Sequence, residues 1–152
     1  MEIKDIVAII GAAISLFALL KGVFEYARQG KQKSAEYFLQ MRDRMFEDDD
    51  FNAVYKALNQ GDETEIKQLS LSQKETYLGF LEEIAILENS GIIKKDIAYY
   101  MFGYFAISCW RCNSFWSDID RNDKYWAVFR DFAERMVSFE GEGGPLPRNV
   151  RL

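Results

Sequence analysis

The chain contains no histidine. Ser-His-Asp and Cys-His catalysis, His-ligated zinc, an imidazole base and a histidine pH switch are therefore all excluded. Its two prolines, Pro145 and Pro147, lie in the last eight residues, so nothing earlier is barred from a helix interior. Its two cysteines, Cys109 and Cys112, have C-x-x-C spacing. Thioredoxin-type chemistry needs that motif at a helix N-terminus beside a βαβ unit, and here it falls deep in a helical pattern. Zinc would need further Cys or His ligands, which only a second subunit could supply. Buried, reduced core thiols are the expectation. Charge is missing from Ile6 to Leu20.

Apolar residues make up 49% of the 152 residues and aromatics 15%, ample for one packed domain plus an anchor. The net charge of −5 is uneven. Residues 1–46 hold seven Lys/Arg against five Asp/Glu, and the remainder hold twelve against nineteen. A domain this acidic is a poor general nucleic-acid binder, because phosphate neutralisation needs clustered cations.

Ile6 to Phe24 would form a helix of ~28 Å, close to the ~30 Å hydrocarbon core of a bilayer. Lys21 can snorkel from its last turn. The uncharged run of 15 residues is short, so a buried helix of a soluble domain is the competing assignment. The balanced start (Glu2, Lys4, Asp5) and the absence of a small-residue cleavage pattern argue against a cleaved signal. Lys21, Arg28, Lys31 and Lys33 on the far side place the N-terminus outside and residues 25–152 in the cytoplasm, with Phe24 and Tyr26 at the interface. Along the span Ala8, Gly11, Ser15, Ala18 and Gly22 are spaced 3, 4, 3 and 4, which puts them on one helix face. Glu25, Gln29 and Lys33 continue that face. Small residues on one face let membrane helices approach closely, so the stripe predicts self-association or a pore-facing seam. Chance placement of common small residues is the alternative.

The rest reads as helices. One is expected over about residues 3–46. FNAVYKALNQ follows, N-capped by Asp50 and closed by Gly61. A third carries a Ser72-x-x-Glu75 capping box, an apolar face of Tyr77, Phe80, Leu81, Ile84 and Leu87, and a stop at Gly91. A long apolar helix is expected from Ile92 to about Ile119, and a last one over about 123–138. The expectation is an all-α chain: an N-terminal anchor over 1–30, a cytoplasmic helical bundle over 31–139, and a flexible tail over 140–152.

Arg111 follows 14 uncharged residues and is expected to pair structurally with Glu83 or Glu82. Helical-bundle ribonucleases of the HEPN type carry an Arg followed four to six residues later by His. Here positions 115–117 are Phe-Trp-Ser, so that activity is not expected. Glu82-Glu83 point ~100° apart and make no carboxylate dyad. Asp48-Asp49-Asp50 lacks the spacing and glycine of a calcium loop. No helix pattern follows Gly143-Gly144-Pro145, so it is not a phosphate loop. No catalytic residue, cofactor or metal site is expected.

EYFLQMRDRMFEDDDF, FLEEIAILENSGII and YYMFGYFAISCWR, with the preceding apolar run, resemble a family of small bacterial proteins of unknown function over about residues 5–137. That resemblance implies one N-terminal span and a cytoplasmic helical domain. The plan is also similar to the membrane-pore accessory proteins of Cas13b (type VI-B) CRISPR systems. The missing His departs from their HEPN-like Arg/His motif, so this likeness implies a pore or anchor role and not RNA cleavage. The functional expectation is a non-enzymatic bacterial inner-membrane protein that self-assembles and permeabilises or depolarises the membrane, as a phage-defence effector or CRISPR accessory. The alternative is a membrane-tethered scaffold binding a cytoplasmic protein through its acidic domain. Expected partners are the lipid bilayer and further copies of the chain.

Overall fold

The computed structural model describes residues 3–144, and the side chains of residues 3, 5–10, 13, 27 and 31 lie outside that description. Seven α-helices follow one another: α1 (Ile3–Glu47), α2 (Asp49–Gln60), α3 (Glu63–Gln68), α4 (Leu71–Asn89), α5 (Lys95–Ala98), α6 (Tyr104–Arg111) and α7 (Ala127–Gly141). A π-helical turn, Tyr99–Gly103, joins α5 to α6, and 3₁₀ turns occupy Asn113–Trp116 and Lys124–Trp126. No strand occurs among the described residues. The expected all-α bundle is present. The chain divides into two compact units, Met1–Glu36 and Tyr37–Leu152.

Helix α1 runs unbroken through Gly30, whose carbonyl accepts a bond from the Ser34 hydroxyl at 3.1 Å. The second unit holds the core. There α2 packs on α4, α4 on α7, α7 on α6 and α6 on α2, closing a ring of four helices. Phe51 of α2 is buried with its ring stacked on Tyr77 at 4.5 Å and edge-on to Phe80 at 4.9 Å. Burying side chains of this size stabilises by ~2–3 kcal/mol each. The last turns of α1 join this core through Met45, which is buried, and Phe38, which meets Phe102 edge-on.

Four sequence expectations need correction. First, α2 is capped by Asp48, whose carboxylate accepts from Phe51 N–H at 2.9 Å, and not by Asp50. Asp49 and Asp50 instead occupy the first turn, where the helix dipole favours carboxylates. Second, the capping box of α4 is Ser70 with Gln73, not Ser72 with Glu75: Gln73 N–H donates to Ser70 Oγ and Ser70 N–H donates to Gln73 Oε1. Third, α3 was not expected, since six residues are too few for a periodic signal.

Fourth, the helix expected to reach Ile119 stops at Arg111. Cys112 turns extended, with φ −85° and ψ 96°. The indole N–H of Trp116 then donates to Cys109 C=O at 3.0 Å, a second bond to a carbonyl that already accepts from Cys112 N–H at 3.2 Å. Burying Trp116 in this way requires the chain to fold back.

Candidate functional site

In the first unit, eight large apolar side chains of α1 stand exposed between Ile14 and Tyr26, at 58% to 81% of their full accessibility. At ~100° per residue the eight spread over an arc of about 240° around the axis, and the remaining face carries Gly11, Ser15, Ala18 and Gly22. Of the expected stripe, Gly11, Ser15, Ala18, Gly22, Glu25 and Gln29 are all exposed. The Ala8 side chain lies outside the described residues. A methyl group added at Gly11 or Gly22 would meet nothing within 4 Å. Among the described residues no helix is long and apolar enough to cross a membrane. Positions 5–10 and 13 of the apolar run are outside the described side chains.

In the second unit the expected Arg111–Glu83 pair is absent. Arg111 bonds Glu140 at 2.6 Å, and both side chains are substantially exposed. Glu83 instead pairs with Arg44 of α1 at 2.5 Å. Glu82 accepts from Phe129 N–H at 3.2 Å. Trp126 at the start of α7 offers no side-chain cap, so a carboxylate from α4 caps the third helical residue across the core. Partial burial raises the Glu82 pKa, and the Phe129 N–H acts against that rise.

Cys109 is buried and Cys112 half-buried, both as free thiols. Burial pushes the Cys109 pKa well above the ordinary thiol value, with Cys112 nearby adding to the shift. That suppresses the thiolate that redox and metal chemistry need. No group of three Cys, Asp or Glu able to hold a metal ion occurs among the described residues.

Two features escaped the sequence reading. Lys74, in the polar-looking stretch LSQKE, is fully buried. Its ammonium bonds Asp118 and lies 5.7 Å from the Phe115 ring centre. The Lys74 bond holds the Asp118 carboxyl below its usual range. Arg121 places its guanidinium 3.7 Å from the Trp110 ring centre and 5.4 Å from that of Trp116. Nothing in either local sequence marks these contacts, because both partners come from other elements.

Chemically, the second unit is a bundle with ion pairs between its elements, among them the buried Lys74 with the half-exposed Asp118. The exposed apolar length of α1 is the feature that the chain's own core leaves uncovered. The class is thus an all-helical bundle preceded by a long N-terminal helix. The chain belongs to the DUF4760 family, a domain of unknown function, whose family model matches residues 5–136. No curated protein and no solved structure matches it. The likeness to CRISPR accessory proteins finds no support in these comparisons.

Proposed function

We propose that the protein is a non-enzymatic, single-pass protein of the bacterial inner membrane, N-terminus outside, which self-assembles through its N-terminal helix and permeabilises or depolarises the membrane. The observation that carries this reading is the exposure of eight large apolar side chains from Ile14 to Tyr26, over well more than half of the helix circumference. At ~1.5–3 kcal/mol for each such side chain, leaving eight in water costs as much as the ~5–15 kcal/mol that holds a whole domain folded. Lipid is the surrounding that relieves this over so wide an arc at once. A protein partner covers one face. The family match begins at residue 5 and so takes in the apolar run as part of the domain. The open small-residue face at Gly11, Ser15, Ala18 and Gly22 suits close helix approach.

The test is to express the full chain, separate membranes, and measure oligomer mass in mild detergent together with membrane potential on induction. The wild type is expected in the membrane fraction as an oligomer, with depolarised cells. Gly11→Leu and Ser15→Leu are expected to keep the membrane location and to lose both the oligomer and the depolarisation. Recovery of the wild type without detergent would overturn the anchor. Unchanged mass and potential in both variants would overturn the assembly.

One observation favours a second reading, that of a tethered scaffold. Glu47, Asp49, Asp50, Glu63 and Glu65 form exposed acidic stretches. If that reading holds, the leucine variants keep partner capture, and charge reversal at these acids abolishes it.

A further inference from the structure

A cavity of about 470 Å³ in the second unit is walled by the C-terminal ends of α2 and α6. That volume falls in the ~300–1,000 Å³ range of small-ligand pockets. Leu58 and the buried Ile66 give it one apolar side. Half-buried Ser108, Cys112 and Ser114 line it as well, with Asn113 exposed beside them. None of these four polar side chains has a hydrogen-bond partner among the described residues. Partly buried polar groups left open in this way are bonding positions for a guest molecule.

Two charges of opposite sign complete the lining. Arg111 gives its Nη2 to Glu140 at 2.6 Å, and its Nη1 and Nε have no partner among the described residues. Glu63 has Lys67 at 3.6 Å, longer than a hydrogen bond. The helix ends add to the negative side. The last carbonyls of a helix lack intrahelical partners and carry its partial negative charge, and α2 brings Gly61 and α6 brings Arg111 to the same cavity.

These groups select among ligands. An inorganic anion would suit Arg111 and be repelled by Glu63 and by both helix ends. A simple amine would leave the Arg111 fork unused. A hydrocarbon would strip water from hydroxyl, amide and thiol groups and give no bond in return. A molecule with one carboxylate and one ammonium meets both demands. We propose that this cavity binds a small zwitterion of the amino-acid type, its carboxylate on Arg111 and its ammonium on Glu63 and the carbonyls at the ends of α2 and α6. Ser108, Asn113 and Ser114 bond its remaining polar edges, and a short apolar side chain lies against Leu58 and Ile66. The site belongs to the second unit alone and stands whether or not the first crosses a membrane.

Cys112 reports on occupancy, because it lines the cavity while Cys109 is buried. The full chain in mild detergent is treated with N-ethylmaleimide, and adducts on the Cys112 peptide are counted by mass spectrometry. A mixture of the proteinogenic amino acids other than cysteine, at about 1 mM each, is expected to slow labelling about tenfold, which corresponds to a Kd of ~0.1 mM. Acetate with ethylamine at the same concentration, the two charges on separate molecules, is expected to leave the rate unchanged. Arg111→Gln and Glu63→Gln, both at exposed positions, are each expected to remove the protection and keep the ligand-free labelling rate. Labelling that the amino acids do not slow would overturn the proposal. So would protection that acetate and ethylamine reproduce, protection that survives in either variant, or a Cys112 closed to the reagent in the free protein.

Discussion

A buried lysine is the most consequential single residue in the bundle. Lys74 is 1% exposed and its ammonium has one carboxylate, Asp118, which is half exposed. Removing the acid leaves a buried charge unpaired, whereas removing the charge removes the need for a partner. Asp118→Ala is therefore expected to cost ~2 kcal/mol, the lower end for a broken pair because water reaches Asp118. Lys74→Met is expected to be neutral or mildly stabilising. Urea midpoints of the two variants check this, and equal losses would refute it. The pH dependence follows from the depressed Asp118 pKa. The folded state holds the carboxylate more strongly than the unfolded chain does. Its contribution is complete above the ordinary carboxylate value of 3.8 and is lost as pH falls through the lowered folded value. The wild type should thus lose more stability than Lys74→Met between pH 5 and pH 2, with the difference read from paired unfolding curves. The Arg111 partner shows what sequence leaves open at this scale. Glu83 and Glu140 carry the same side chain, and only the packing of α6 on α7 brings Glu140 to 2.6 Å.

Helix ends separate what spacing can say from what it cannot. The long first helix, the apolar face of α4 and the closure of α2 at Gly61 were all legible from period and end signals. Gly61 sits at φ 69°, where a Cβ is strained. The starting residues were less legible, because Asp48, Asp49 and Asp50, and likewise Ser70 and Ser72, are chemically competent caps within two residues of each other. The choice is made downstream, where Phe51 and Tyr77 must face the core. Asp48→Ala and Ser70→Ala are each expected to cost ~1 kcal/mol, and Asp50→Ala and Ser72→Ala under ~0.5 kcal/mol. Thermal melts of the four variants decide it, and a reversed ranking would mean that the caps are assigned to the wrong residues. The break at Cys112 was invisible to spacing because apolar residues continue on both sides of it. The indole of Trp116 ends the helix from outside the local pattern.

For the whole molecule, the two units divide the physical problem. Among the described residues, every one of the buried core lies between Met45 and Met136, within the second unit. The exposed apolar length from Ile14 to Tyr26 belongs to the first. A fragment of residues 37–152 is therefore expected to stay helical and unfold cooperatively in buffer without detergent, as circular dichroism and a urea titration would record. The full chain is expected to aggregate in the same buffer. A fragment without a cooperative transition would mean that the first unit contributes to the core.

The sequence by itself determined the helical class, the absence of every histidine-dependent chemistry and the uncharged run that sets the first unit apart. These follow from composition and local period, which act through neighbours along the chain. Only the tertiary structure decided which carboxylate meets Arg111, that Glu82 caps α7, that Lys74 is buried, and where the Cys109 helix stops. Each of those depends on groups about 7 to 50 residues apart, brought together by packing of the core.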